Sequence, residues 1–71
     1  MTVGKEYIKD YRGFILGWVE NDSNGDKTVK DKRGFILGYY DKYHNETKDY
    51  RGFVLGKGDF CVSLIYKSLL P

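Results

Sequence analysis

Three pairs of an aspartate and an arginine, each two residues apart, recur along this chain: Asp10 with Arg12, Asp31 with Arg33, and Asp49 with Arg51. Arginines near aromatic side chains can bind phosphates and stack on bases, which is the chemistry of nucleic-acid recognition. The candidate binding residues of this kind are Arg12, Arg33, Arg51, Trp18, Tyr39 and Tyr40. A second interpretation gives each arginine an exposed turn position beside its aspartate, with no ligand. We favour the second interpretation because acidic and basic residues are interleaved and their fields largely cancel.

The three aspartates could also hold a cation if they formed a ring of carboxylates. Turn chemistry explains them without an ion, because aspartate at the first position of a β-turn bonds its own backbone. One cysteine, Cys61, and one histidine, His44, are too few for a zinc site, and no set of three or four ligands has a workable spacing. A catalytic pair of Cys61 as nucleophile and His44 as base would need an orienting group and a pocket. We therefore expect a buried structural cysteine, no catalytic residue, no metal and no cofactor.

Trp18 departs from the repeated pattern of the chain, since Tyr39 and Lys57 occupy the equivalent positions in the other two copies. An aromatic residue that breaks a repeat can be a binding anchor, because tryptophan is enriched at interface hot spots. It can also fill the core against the C-terminal segment. We favour the core position.

The elements that position these residues follow from an eight-residue unit that is written three times, at 10–17, 31–38 and 49–56. Aspartate at the first turn position and glycine at the fourth predict a type I turn closed by a left-handed glycine and a bulge. The predicted turn residues are Asp10, Gly13, Asp31, Gly34, Asp49 and Gly52. The sequence therefore predicts an all-β fold of three tandem hairpins, at about 5–20, 27–41 and 46–57.

The strand after each turn carries apolar residues on both faces. Strict alternation puts Phe14, Leu16 and Trp18 on one face and Ile15, Gly17 and Val19 on the other. Both faces should then be at least partly covered, as in a sandwich, a wound array or an oligomer. The glycines that end the units, Gly17, Gly38 and Gly56, indicate a bulge or a close backbone approach, near an axis of pseudo-symmetry.

The last segment, about 59–70, is predicted to be a short helix with Asp59 as its N-cap, and a final strand through 60–66 is the alternative. The helix would be apolar around most of its circumference, so it should be buried as a cap on the hairpins or between subunits. The candidate residues for an oligomer interface are Phe60, Leu64, Ile65 and Leu69.

Length and composition limit the remaining possibilities. The chain has 71 residues, with 12 lysines and arginines against 10 aspartates and glutamates, so we expect one domain without a strong field for polyanions. The aromatic content of 17% is too high for a disordered chain. No apolar run suits a signal peptide or a membrane span. We expect a cytoplasmic protein that gains stability as a homodimer.

The repeated unit of Asp-x-x-Gly, an apolar strand and Leu-Gly resembles the hairpin repeats of small β-flower proteins and, more loosely, the YD repeats of Rhs-type shells. The resemblance covers about residues 5–58, and here arginine precedes the glycine, whereas it follows the glycine in YD repeats. The repeated unit is also similar to repeats in small bacterial and phage proteins. The resemblance implies hairpin geometry, and a non-enzymatic protein-binding or assembly role, such as a phage accessory or inhibitory protein. A nucleic-acid-binding module is the alternative.

Overall fold

Residues 2–70 are described by a computed structural model, in which they form six strands and one helix. The elements are β1 (Thr2–Lys9), β2 (Ile15–Asp22), β3 (Lys27–Asp31), β4 (Ile36–Asp41), β5 (Glu46–Asp49), β6 (Val54–Lys57) and α1 (Cys61–Ser68). The strands lie in one antiparallel sheet, each paired with the next along the chain. The predicted mainly β architecture with a short C-terminal helix is therefore confirmed.

The turn geometry is the one that the aspartate and glycine positions predict. In the first turn the amide of Gly13 donates to the carbonyl oxygen of Asp10 at 2.9 Å, and the amide of Asp10 donates to the carbonyl oxygen of Phe14 at 3.0 Å. The other two turns repeat both bonds, and all three turn glycines have a φ between 88° and 92°. Successive strands of a hairpin reverse direction, so these three turns lie at the same end of the sheet.

A β-bulge follows each turn and changes the predicted faces. Ile8 lies opposite Gly17 whereas Lys9 lies opposite Ile15, so Leu16 is an extra residue in β2. Leu37 in β4 and Leu55 in β6 are extra in the same way. The bulge places Leu16 with the core under α1, and strict alternation was wrong at this point. We call these three residues the bulge leucines.

The core lies between α1 and strands β2, β3 and β4, against which the helix packs. Its buried apolar residues are Val19, Val29, Cys61 and Ile65. Thr47 is also buried, and its hydroxyl donates to the carbonyl oxygen of Gly58 at 2.6 Å and accepts from the amide of Phe60 at 3.1 Å. These two bonds hold the chain leaving β6 in place, so α1 starts at a fixed position over the sheet.

The helix differs from its prediction at both ends. It spans Cys61–Ser68, and Phe60 occupies the N-cap position. Asp59 still accepts a bond from the amide of Cys61, at 3.1 Å, while its other carboxylate oxygen pairs with the Lys27 ammonium at 2.5 Å. The predicted cap residue therefore lies one position before the N-cap, and its carboxylate connects the start of α1 to β3.

The other side of the sheet carries no helix in the part of the chain that the structure describes, and we call it the open face. A sandwich or a wound array within the chain is excluded, as is the arrangement around an axis, because the hairpins follow one another in a single sheet. Coverage of the open face by an oligomer stays a prediction. Lysines on this face make it compatible with water: Lys30 and Lys48 each lie opposite an aliphatic residue, Ile36 and Val54.

We expect replacement of Gly13, Gly34 or Gly52 by alanine to lower the free energy of unfolding by about 1 kcal/mol each. No neighbouring atom would touch the new methyl at Gly13 or Gly52, so the cost comes from the positive φ. Thermal melts of the three variants measure it. Gly4→Ala is the matched control, since Gly4 has open space and a negative φ. Neutral melts for all three turn variants would contradict the assignment of strain.

Candidate binding surface

The three turns present the same group of side chains at one end of the sheet, and we call residues 10–14, 31–35 and 49–53 together the turn row. In the first turn, Asp10 Oδ1 accepts from the amides of Arg12 at 2.8 Å and Phe14 at 3.1 Å. Asp31 and Asp49 make the corresponding bonds at 2.9 and 3.0 Å. Each aspartate therefore organises its turn with backbone bonds, and a row replaces the hypothetical ring of carboxylates.

Each arginine of the turn row lies between its aspartate and a phenylalanine. The guanidinium nitrogens of Arg12, Arg33 and Arg51 lie 3.0, 3.5 and 3.1 Å from the carboxylate of their own turn. The same guanidinium groups lie 5.0, 5.2 and 5.1 Å from the ring centres of Phe14, Phe35 and Phe53. A guanidinium at this distance from a ring makes a cation–π contact. The arginines are thus held in place by their own turns.

The pKa values of two of these aspartates reflect the same contacts. Partial desolvation acts to raise the pKa of Asp10 and Asp49, but hydrogen bonds from the arginine side chain and from two backbone amides outweigh it and lower both. The carboxylates therefore stay ionised at neutral pH and neutralise the arginines beside them.

Aromatic rings dominate the exposed surface of the turn row. Phe14, Phe35 and Phe53 are each 62–63% exposed, and Tyr11 and Tyr50 are exposed beside them. Adjacent turns are two strands apart, which is about 9.6 Å at the usual strand spacing. The result is a periodic surface in which apolar rings alternate with internally paired charges.

Trp18 lies on the open face, and its predicted place in the core beneath the helix was wrong. Its ring lies 6.0 Å from that of Tyr7, its indole nitrogen donates to Glu20 at 2.8 Å, and the Lys5 ammonium lies 5.6 Å from the ring centre. Glu20 also pairs with Lys30 at 3.1 Å. The bulge at Leu16 shifts the alternation before Trp18, so the leucine takes the helix side and the tryptophan faces outwards.

Tyr39 and Tyr40 do not join the arginines. Tyr40 packs against the core on the helix side, and its hydroxyl donates to Asn45 at 2.7 Å. Tyr39 lies opposite Lys48 on the open face. The two tyrosines therefore belong to different surfaces, away from the turn row, so the six candidate binding residues do not form one site.

A cluster that the sequence spacing concealed lies at the other end of the sheet. Ligand atoms of Asp41, His44 and Glu46 all lie within 4.8 Å of one another, which corrects the expectation that no three such residues meet. The two carboxylates already have partners: His44 Nδ1 lies 2.6 Å from Asp41, and the ammonium groups of Lys48 and Lys57 lie 3.5 and 3.1 Å from Asp41 and Glu46. The cluster is therefore an ion-pair network that closes the loop between β4 and β5.

We expect Asp41 to protonate well below the range of an ordinary aspartate. The side-chain hydrogen bond from His44 is the largest cause, followed by the bond from the His44 amide, and they lower the pKa of Asp41 from 3.8 to about 2. A carboxyl with a lowered folded-state pKa stabilises the fold above its unfolded pKa, and this contribution disappears as the pH falls towards 2. NMR titration of the Asp41 side chain should give a midpoint near 2. Asp41→Asn should reduce the change in melting temperature between pH 4 and pH 2. An ordinary midpoint near 3.8 would contradict this network.

Cys61 is buried in the core as expected. Desolvation is the largest cause that raises the pKa of its thiol, to about 12, and the neighbouring Asp59 acts in the same direction. The thiolate that would act as a nucleophile is therefore strongly disfavoured at neutral pH. His44 lies in the loop network described above, so the two residues are not a reactive pair.

The candidate interface residues of the C-terminal segment have different surroundings. Ile65 is fully buried under the sheet, so its assignment to an oligomer interface was wrong, and Leu64 packs partly against the same core. Phe60 and Leu69 remain partly exposed. Val62 and Tyr66 on the outward side of the helix, and Leu70 just after it, are also exposed, and the sequence pattern did not separate them from the buried residues.

No helix in the described part of the chain has the length and apolar character that crossing a membrane requires. Comparison with models of protein families, with curated proteins and with solved structures found no match to this chain.

Proposed function

We propose that this protein is a non-catalytic module that binds a partner protein through the turn row. The observation that carries the proposal is the exposure of five aromatic rings at one end of the sheet, Phe14, Phe35, Phe53, Tyr11 and Tyr50. Exposed apolar patches of this kind mark interaction surfaces on soluble domains. Aromatic residues and arginine are also the residue types enriched in the centres of protein interfaces.

The charges of the turn row support a protein partner over nucleic acid. Each arginine lies within 3.5 Å of the aspartate of its own turn, so the pair carries little net charge. Binding to phosphates needs cations that are free to replace counterions. A surface of rings and neutral ion pairs, with Lys32 as its one unpaired cation among the described residues, suits the mixed surface of a protein better. We therefore expect no retention on DNA or RNA columns at physiological salt.

The experiment compares partners captured by the wild-type chain with those captured by the variant Phe14→Ser/Phe35→Ser/Phe53→Ser. These rings are exposed, so the variant should keep the melting behaviour of the wild type. The control is Tyr43→Ser, an exposed aromatic residue outside the turn row, in the loop between β4 and β5. A specific partner should be lost in the triple variant and kept in the control. A partner that binds all three proteins equally would exclude the turn row as its site.

We further propose that the chain forms a symmetric dimer through the outward stripe of α1, formed by Val62 and Tyr66, together with Leu70 just after the helix. The core of the described residues has four buried apolar side chains, which is little for a chain of this length. A second copy would cover the same stripe with its own, as in the isologous contacts of most dimers. Light scattering should give about twice the chain mass at micromolar concentration. Val62→Ser/Tyr66→Ser should shift it to a monomer, and a monomeric wild type would contradict this part of the proposal.

The absence of catalysis and a cytoplasmic location belong to the same proposal. Cys61 is buried and the pKa of its thiol is raised, so its thiolate is not available as a nucleophile for His44 to activate. A single free thiol suits a reducing compartment. The resemblance to small phage and bacterial repeat proteins extends the proposal to an accessory or inhibitory role towards another protein.

A further inference from the structure

We infer that the partner docks an acidic amphipathic helix into a groove beside the C-terminal end of α1. This inference rests on the proposed function and names the form of the partner. The helix α1 has eight residues, about 12 Å in length, and packs against β2, β3 and β4, so part of the six-stranded sheet extends beyond it. The groove runs between the last turn of α1 and the turn row.

The groove has two connected halves. One half has a volume of about 520 Å³ and is lined by Leu16, Leu37 and Leu69 together with Asp31, Lys32, Arg33 and Ser68. The other has a volume of about 330 Å³, and Leu37, Leu55 and Leu64 line it with charged residues of the third turn and of α1. Leu37 and Ser68 line both halves. The two halves therefore meet at these two residues, and each half has two of the three bulge leucines in its lining.

The spacing of the bulge leucines matches a helix better than an extended peptide. They lie on β2, β4 and β6, two strands apart, which gives steps of about 9.6 Å across the sheet. Side chains at positions i and i+7 of an α-helix are about 10.5 Å apart along its axis. Same-face side chains of an extended peptide are about 6.6 or 13.2 Å apart. A helix of about 14 residues would therefore contact all three leucines.

The charges around the groove favour a partner helix with negative charge. Arg33 and Arg51 are neutralised by Asp31 and Asp49 of their own turns. Lys32 lines the first half and Lys67 the second, and neither makes an ion pair within residues 2–70. Each half of the groove thus has one uncompensated positive charge at its rim. Aspartate or glutamate beside the apolar stripe of a partner helix would complement both charges.

A peptide selection tests this inference. A phage-displayed library of random 14-residue peptides is selected on the wild-type protein, and the enriched peptides should carry leucine, isoleucine or phenylalanine at helical spacing with an excess of aspartate and glutamate. A fluorescein-labelled copy of the most enriched peptide is then titrated by fluorescence anisotropy. Lys32→Glu/Lys67→Glu should weaken its binding about tenfold or more, since like charges then face each other. Lys5→Glu/Lys42→Glu makes the same change of net charge outside the groove and should leave the affinity within about twofold.

The outcomes separate the two proposals. The groove inference is overturned by a selection without enrichment, by enriched peptides that lack acidic residues, or by equal binding to both lysine variants. It is also overturned if the peptide converts a dimer to a monomer, because the groove would then belong to a second copy. A partner lost in the triple phenylalanine variant and kept in Lys32→Glu/Lys67→Glu leaves the proposed function standing without the groove. A partner kept in both variants excludes both proposals.

Discussion

Replacement of Gly38 by valine is expected to prevent folding at room temperature. A Cβ atom at this position would overlap the carbonyl oxygen of Lys48 on β5 and would lie 2.7 Å from the terminal methyl of Leu64. The carbonyl belongs to the backbone of a neighbouring strand, so relief requires separating β4 from β5. Overpacking typically costs about 1–3 kcal/mol, and here a backbone clash adds to it. Circular dichroism at 25 °C should show a disordered chain or a melting temperature lowered by tens of degrees.

Gly56→Val provides the comparison at the equivalent position of the third repeat. A Cβ at Gly56 would approach the ring of Phe60 at 3.0 Å, and a side chain can turn away where a backbone carbonyl cannot. Its loss of stability should therefore be clearly smaller than that of Gly38→Val. An unchanged melting curve for Gly38→Val, or a greater loss of stability in Gly56→Val, would contradict this prediction. The close approach of β4 and β5 would then not require a glycine at position 38.

The turns could be predicted from sequence because their geometry is local. Asp10, Arg12, Gly13 and Phe14 make their turn with bonds that span four residues or fewer, and the same letters recur twice. The hairpins follow from those turns and from the apolar residues on either side. The glycine at position 17 also indicated a close approach, and a Cβ there would lie 2.5 Å from the carbonyl oxygen of Lys30.

The parts that sequence did not predict depend on contacts between distant segments. Gly17 indicated a bulge or a close approach, and both are present there, but the alternation rule assumed regular pairing and therefore put Leu16 and Trp18 on the same face. Trp18 moved to the open face for this reason. Asp41 and Glu46 meet His44 because the loop between β4 and β5 is short, although the spacing resembles no metal motif. The sheet determines which side of α1 is buried. Because the sequence places apolar residues on both sides of the helix, it could not show that Ile65 is buried and Val62 exposed.

Ile65→Ala is expected to lower the free energy of unfolding by about 2–5 kcal/mol. Its side chain is fully buried between α1 and the sheet, and a Cβ on Gly17 would lie 3.2 Å from it. Domains of this size have total stabilities of roughly 4–11 kcal/mol, so the variant should be close to unfolding. Urea denaturation followed by circular dichroism measures the change. Leu69→Ala is the control, because Leu69 is half-exposed and should lose about 1 kcal/mol or less.

The dependence on protein concentration distinguishes a core residue from an interface residue. If Ile65 stabilises the fold within one chain, the loss of unfolding free energy in Ile65→Ala should be the same at 5-fold and at 50-fold dilution of a stock solution. A loss that disappears in dilute protein, where a dimer would dissociate in the wild type as well, would place Ile65 between subunits. Because α1 covers the sheet with Cys61 and Ile65 and turns Val62 and Tyr66 outwards, we expect the concentration dependence in Val62→Ser/Tyr66→Ser instead.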